Sequence, residues 1–441
     1  MEQPLRQHFG QVEPVPTPAA AERVLVIDVR GALLRSDLGL EALFSDPGKT
    51  LRHLRDISSW RMSELGALAA DAAIDYASLP YDQDVLNQAL AARARSEKIY
   101  LVADSFADHA AGIASHLGFD GVVAPADLVA GAVPFERASI AHISGQSGSR
   151  RTSLKTWANA LRVYQYTKNT LVFVPAVTAH QMNLSALGDA LLAFLAFSAC
   201  ASGAYLMNDL LDLAADRQHP TKRHRALAAG TLPIAHALIA IPALWLFAVG
   251  ASLCISGIFV AVLGAYLATT IAYSLVLKRK MLVDVVTLAG LYSLRIIAGA
   301  VAVGVVLSEW LLMFSLFVFT SLALIKRFSE LSMRQGAGLA DPSNRDYKIS
   351  DLSVIAAMAA ASGMNAVIVF SLYVSSSTVA TLYSRPWMLW LLNPLLLYWF
   401  GRALMMAHRR EMPDDPILYT FRDGASRITV AAMICIMLAA I

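Results

Sequence analysis

Charge is scarce in this 441-residue chain. Charged residues make up 16% of it and hydrophobic residues 56%, with a mean hydropathy of +0.52. Soluble domains carry about 25% charged residues, so the composition excludes an ordinary soluble protein and points to a membrane. Cysteine is scarce too. The three present, Cys200, Cys254 and Cys435, lie inside apolar runs without metal-ligand spacing, as small core residues would, which leaves no basis for a zinc site or a disulfide framework. No basic block is interleaved with aromatics and the formal net charge is only +3, so nucleic acid is not an expected partner. The opening stretch MEQPLRQHFGQVEPVPTPAA lacks the apolar core of a secretory signal, so the N-terminus is expected to stay in the cytoplasm.

The apolar excess that is present is uneven. Residues 1–150 read as a soluble domain, and residues 151–441 as a membrane domain of long apolar runs. About 20 apolar residues cross a bilayer. Nine such segments are expected, near 169–186, 188–207, 233–252, 256–277, 282–303, 308–327, 351–373, 386–406 and 424–441. The loops between them alternate in charge. Those at 208–232, 278–281, 326–350 and 402–427 are rich in Lys and Arg, whereas the opposite set contributes only Arg385. Basic loops stay cytoplasmic, so the chain is expected to be a multi-pass protein of the inner (plasma) membrane, its N-terminal domain on the side of the charged loops. The sequence is compatible with a homo-oligomer and does not specify one.

Within the first 150 residues, RVLVIDVRGALLRSD (Arg23–Asp37), KIYLVADS (Lys98–Ser105) and FDGVVA (Phe119–Ala124) read as buried strands with helical patterns between them. That order predicts a small α/β domain on a parallel sheet. It resembles the haloacid-dehalogenase-like domain. The resemblance implies an aspartate pair after the first strand, a hydroxyl residue after the second and a later acidic pair for magnesium. Here Asp28 is present, but Arg30 stands at its partner position and Ala103 at the hydroxyl position, with Ser105 nearby, and no later acidic pair is visible. An aspartate nucleophile without a metal faces an unscreened phosphate, so the domain is expected to be a degenerate, non-catalytic scaffold or interaction module.

The densest chemistry lies at the end of the second apolar run, in GAYLMNDLLDLAADRQHPTKRHRALAAG (Gly203–Gly230). On a continuous helix Asp209, Asp212 and Asp216 fall at i, i+3 and i+7, on one stripe, with Asn208 four residues before Asp212. Three carboxylates so placed repel unless a cation joins them, and hard oxygen ligands suit Mg2+. Lys222, Arg223 and Arg225 follow at once, able to take phosphate oxygens left free by a metal. Asn208, Asp209, Asp212 and Asp216 are therefore the candidate metal ligands of a Mg2+–diphosphate site.

NDLLDLAADRQHP resembles the NDxxDxxxD signature of the UbiA superfamily of intramembrane prenyltransferases. RVYQYTKNTLVFVP (Arg162–Pro175), MLVDVVTLAGLYSLRIIAGA and IKRFSEL…RDYKISDL resemble it in the same order, over residues 157–441. The resemblance implies an all-helical membrane domain of nine spans with a cavity open to the cytoplasm. Aromatic prenyltransferases of the superfamily carry a second aspartate motif after the sixth span. Here that loop is predominantly basic, with Lys326, Arg327, Arg345 and Lys348 beside Glu330, Asp346, Tyr347 and Asp351. The branch it most resembles is decaprenyl-phosphate phosphoribosyltransferase, through ADRQHPTKR, the KN at Lys168–Asn169, and RDY at Arg345–Tyr347. That resemblance implies transfer of 5-phosphoribosyl from phosphoribosyl diphosphate to a polyprenyl phosphate. Asp209, Asp212 and Asp216 would act on the leaving diphosphate, while Lys222, Arg223, Arg225, Lys326, Arg327, Arg345 and Tyr347 bind phosphates. Lys168 would meet the lipid phosphate, or simply snorkel to the interface. Arg295, about 16 Å along its helix from Asp284, is expected to face the cavity or a buried acid. Glu330 and Asp351 are candidates for orienting or metal roles. The alternative is prenyl transfer from a prenyl diphosphate to an aromatic or other acceptor, and a non-enzymatic scaffold or transporter stands third. Inverted repeats and broken helices, which transport would require, are not evident.

Overall fold

Strand β1 (Arg23–Asp28) carries the apolar run RVLVID at the centre of a four-stranded parallel sheet ordered β3-β2-β1-β4, with β2 at Lys98–Val102, β3 at Gly121–Val123 and β4 at Ser139–Ile143. These coordinates are a computed structural model, which describes residues 23–46, 48, 62–130, 139–144, 152–342, 345–412 and 416–441. The opening stretch read for a secretory signal lies outside the described residues. Val26 and Ile27 are fully buried, as expected of a central parallel strand covered on both faces. Helices α1 (Leu38–Ser45), α2 (Gln83–Ala94) and α3 (Ala107–Leu117) belong to the same unit. Asp37 caps α1 by accepting from the amides of Gly39 and Leu40, and Asp82 caps α2 by accepting from Asp84 and Val85. The three predicted strands are all present. The fourth, β4, was not predicted: SIAHI is short and largely exposed, with too little apolar alternation to stand out.

The chain divides into two compact units. One comprises the residues up to Thr152 together with Asp212–Ile234, and the other Ser153–Leu211 with Ala235–Ile441. The basic loop after the second apolar run thus packs in the α/β unit, through Leu213, Leu227 and Leu232, each 2% exposed or less.

Among the described residues the second unit holds seven helices long and apolar enough to cross a membrane: α4 (Leu184–Leu211), α6 (Ile234–Ile255), α7 (Gly257–Leu275), α8 (Val283–Val303), α9 (Glu309–Gly336), Ile349–Val374 and Pro386–His408. The short α5 (Leu213–Gln218) follows α4. Seven of the expected nine segments meet that length among the described residues. The first predicted span divides into a 3-10 helix, Val163–Phe173, and a five-residue α-helix, Val174–Thr178. Pro175 lies in the first turn of that α-helix, where its missing N–H is not needed, so it marks the change from 3-10 to α. The ninth, Gly424–Ala440, is helical but has only 17 residues.

Helix α4 is the most buried of the seven, and its second half is a run of small residues from Ser198 to Ala204 that lets neighbours approach closely. The approach is closest at Gly299 of α8, where an added Cβ would lie 2.0 Å from the carbonyl oxygen of Val172 in the 3-10 helix. The oxygen is backbone and the Cβ position is fixed by backbone geometry, so no rotamer change relieves the clash. Gly299→Ala is expected to destabilise the membrane unit by about 1–3 kcal/mol. A thermal melt followed by helical circular dichroism checks this, and an unchanged midpoint would contradict it.

Candidate active site

In the membrane unit the 3-10 helix Val163–Phe173 presents a polar chain against α4 and α8. Asp209, in the last turn of α4, is 6% exposed and accepts from Arg162 Nη2 at 2.5 Å. The Arg162 guanidinium lies 4.6 Å from the Tyr205 ring centroid. Tyr205 and Lys168 both donate to Oε1 of Gln165, each at 3.2 Å. Lys168 Nζ sits 6.0 Å from the Tyr292 ring centroid and the Arg295 guanidinium 5.4 Å from the same ring, so two cations share one phenol ring. Arg295 is buried and donates to three neutral oxygens: Asn169 Oδ1 at 2.8 Å, the Leu291 carbonyl at 2.6 Å and the Tyr266 hydroxyl at 3.0 Å. Of the two expected surroundings, cavity or buried acid, the second is not met among the contacts of Arg295, which are an amide, a carbonyl and two tyrosines. Asn169 is 2% exposed and ties Arg295 to Ser198 of α4 through its own amide donor.

A second cluster surrounds Asp284 at the start of α8, which is wholly buried. Tyr347 donates to it at 2.6 Å, Arg345 approaches at 3.4 Å, and Arg327 Nε lies 2.7 Å away. The Arg327 Nε contact is off the N–H axis, so it acts through charge rather than as a directed hydrogen bond. Glu330 completes the group, at 2.5 Å from Arg327 and 3.5 Å from Arg345. Two carboxylates thus neutralise two guanidiniums, and Arg327 is only 1% exposed. Burial first, and then the hydrogen bond to Asp284, push the Tyr347 phenol above its ordinary range, so it remains a donor. Lys326 precedes this group on α9 and is half-buried. Asp351 accepts from the Lys348 amide at 2.9 Å, which gives it a helix-capping role.

In the α/β unit Asp216 is 2% exposed, with Arg225 at 2.6 Å and Lys222 at 3.9 Å. Asp212 is the N-cap position of α5 and its carbonyl accepts from the Asp216 amide at 2.8 Å. The signature therefore runs across a helix junction. Asn208 and Asp209 end α4, while Asp216 lies in α5, so the single continuous stripe expected from spacing is interrupted at Asp212. Arg223 is exposed. Among the described residues no three His, Cys, Asp or Glu side chains converge as a metal cluster. The donor chemistry still fits a hard divalent ion: carboxylate and amide oxygens, with arginines as the positive charge on Asp209 and Asp216. At the end of β1, Asp28 accepts from His142 at 2.8 Å, and Arg30 pairs with Asp37 at 3.3 Å.

Sequence reasoning missed four of these residues. Arg162 and Asn169 lie in a quoted block whose chemistry was assigned to Lys168 alone. Asp284 was weighed only against Arg295. It is the one acid in an apolar span that follows three basic residues, a signal that could have singled it out. Glu41 carries no sequence signal, because its partner Arg217 is 176 positions away.

One further feature bears on substrate. A cavity of about 640 Å3 in the membrane unit is lined by apolar side chains, including Phe173, Val177, Leu311, Phe314 and Leu392, with Thr170 at its edge. Thr170 and Phe173 belong to the 3-10 helix that carries Lys168.

The pattern of the UbiA prenyltransferase family matches residues 170–423. The chain is 31% identical to protein y4nM of Sinorhizobium fredii over 91% of its own length and 88% of that protein. It is 36% identical to the decaprenyl-phosphate phosphoribosyltransferase of Corynebacterium glutamicum over 41% of its length and 55% of that enzyme. Among solved structures, a UbiA homolog from Archaeoglobus fulgidus bound to GPP and Mg2+ aligns with 64% of this chain and 99% of that one, at 15% identity and a TM-score of 0.49. The family pattern spans more than half of the chain: the protein belongs to the UbiA prenyltransferase family and is an intramembrane transferase.

Proposed function

We propose that the enzyme transfers the 5-phosphoribosyl group of phosphoribosyl diphosphate to a polyprenyl phosphate and releases diphosphate. The observation that carries this reading is the closed ion-pair group at Asp284. At the end of α9, where an aromatic prenyltransferase would carry its second acidic motif, Glu330 is taken up by Arg327 and Arg345, which also hold Asp284 of α8. The likeness to decaprenyl-phosphate phosphoribosyltransferase and the apolar cavity lined in part by the 3-10 helix that carries Lys168 support the same reading.

In the reaction an oxygen of the lipid phosphate attacks ribose C1, a new C–O bond forms, and the bond to diphosphate breaks with its electron pair leaving on the diphosphate. Lys168 holds the attacking phosphate, with the polyprenyl tail in the cavity lined by Thr170 and Phe173. Arg162 and Arg295 fix the 3-10 helix that presents Lys168. Asn208, Asp209, Asp212 and Asp216, carried on nine consecutive residues, would hold Mg2+, which would supply positive charge for the leaving diphosphate. The same carboxylates favour the positive charge that develops at C1. Lys222, Arg223 and Arg225 take the remaining diphosphate oxygens. Lys326 binds phosphate, while Arg327, Arg345 and Tyr347 shape the site by holding Asp284. The N-terminal unit and the basic loops lie on the cytoplasmic side of the plasma membrane, by the charge asymmetry of the loops. Asp28, bound to His142, performs no phosphatase chemistry in this reading.

Two substrate pairs test this. Purified protein with Mg2+ receives either phosphoribosyl diphosphate plus polyprenyl phosphate or prenyl diphosphate plus aromatic acceptors. Lipid product and diphosphate are expected from the first mixture. Product from the second alone would establish prenyl transfer instead. Within the first mixture, Lys168→Gln is expected to raise KM for the polyprenyl phosphate by about tenfold and leave that for the ribosyl donor unchanged, in line with loss of one charge-assisted contact of about 1.5 kcal/mol. An equal change in both constants would remove Lys168 from the lipid phosphate.

A further inference from the structure

We infer that the α/β unit is a positioning module for the diphosphate-binding loop, anchored by Glu41. This rests on the assignment of Asp216, Lys222 and Arg225 to the diphosphate site made above, and adds what holds them in place.

The loop Asp212–Ile234 leaves one membrane-spanning helix and returns to the next, yet its packing partners are residues of the α/β unit. Arg217, adjacent to Asp216, makes a two-pronged ion pair with Glu41 of α1 at 2.5 and 2.7 Å. Both side chains are buried, at 6% and 2% exposure. The third arm of the same guanidinium, Nε, donates to the Ala228 carbonyl at 3.1 Å, so Arg217 fastens the loop both to α1 and to its own returning limb. That limb is seated independently. Gly230 has φ of +66°, and a Cβ there would lie 2.8 Å from Cβ of Pro80 and 3.0 Å from Cβ of Arg35. A planar, bidentate, desolvated pair fixes direction as well as distance, which a lysine or an exposed pair does not. The two fastenings bracket Lys222 and Arg225, the cations that sit with Asp216. A unit whose own aspartate, Asp28, is paired to His142 thus contributes to catalysis by holding this loop in register.

The probe is inorganic diphosphate with Mg2+, titrated into the full chain in detergent. Glu41→Gln leaves Arg217 with a broken pair. If the loop then occupies its seat about a tenth of the time, the apparent Kd for diphosphate rises about tenfold. Gly230→Val disturbs the other fastening without stranding a charge and is expected to act in the same direction. The charge exchange Glu41→Arg with Arg217→Glu is expected to recover most of the affinity lost in Glu41→Gln. Tryptic cleavage at Lys222 and Arg223 rises in both single variants and returns to the original level in the exchange. Unchanged diphosphate affinity in cleavage-sensitive Glu41→Gln would overturn the positioning role, as would an exchange variant that recovers nothing. Wild-type protein that binds no diphosphate would overturn it together with the metal-site assignment. Wild-type protein that binds diphosphate but fails with phosphoribosyl diphosphate and polyprenyl phosphate would overturn only the choice of substrates.

Discussion

Asp209→Asn is expected to lower kcat by about 10²–10³-fold while the protein stays folded, because the proposed ligand for the metal on the diphosphate is lost with no change in shape. The competing explanation is that Asp209 serves only to neutralise Arg162, which it meets at 2.5 Å. The two are separable. A structural role predicts that Arg162→Gln, by removing the guanidinium that Asp209→Asn leaves unpaired, restores full activity in the double variant. A metal-binding role predicts that the double variant stays inactive and that the activity of Asp209→Asn climbs only as Mg2+ is raised. Single-turnover rates across a magnesium series distinguish these outcomes.

The largest effect on stability is expected at Asp284. Its carboxylate is fully buried against Arg327, Arg345 and Tyr347. Such a group adds little net stability over an apolar core of the same shape, since desolvating four charges offsets most of their attraction. Removing one member is another matter. Asp284→Asn leaves Arg327, 1% exposed, with only the half-exposed Glu330 to balance it, alongside Arg345. A loss of about 3–5 kcal/mol follows from the stranded charge. Tyr347→Phe, which removes one neutral donor, is expected to cost only about 1–3 kcal/mol. Chemical denaturation in detergent compares the two. Equal midpoints for Asp284→Asn and the wild type would show that the ion-pair group is not a structural centre.

The sequence made the membrane architecture and the acid signature readable because both are local. Apolar length and loop charge located the long helices from Leu184 onward, and spacing located Asn208, Asp209, Asp212 and Asp216. The strands at Arg23, Lys98 and Gly121 were readable for the same reason, as dense apolar runs. Features that depend on distant pairing were not. Spacing alone extends α4 through Asp216, whereas the helix turns at Asp212, where α5 begins within the α/β unit. Arg327 and Arg345 read as phosphate ligands because cations in a loop suggest anions. Their consumption by Asp284 depends on α8 and α9 meeting, which no periodicity encodes. The first apolar segment had the length of a span, and Pro175 within it was the overlooked sign of two shorter pieces.

The central assignment is tested most directly by identifying what the lipid gains. Full-length protein in vesicles with Mg2+, phosphoribosyl diphosphate and a polyprenyl phosphate is extracted, and the lipid phase is analysed by mass spectrometry beside a diphosphate assay. The account predicts a polyprenyl phosphate heavier by one phosphoribosyl group, formed one for one with diphosphate. Lipid recovered unchanged, with transfer seen only when a prenyl diphosphate and an aromatic acceptor are supplied, would contradict it.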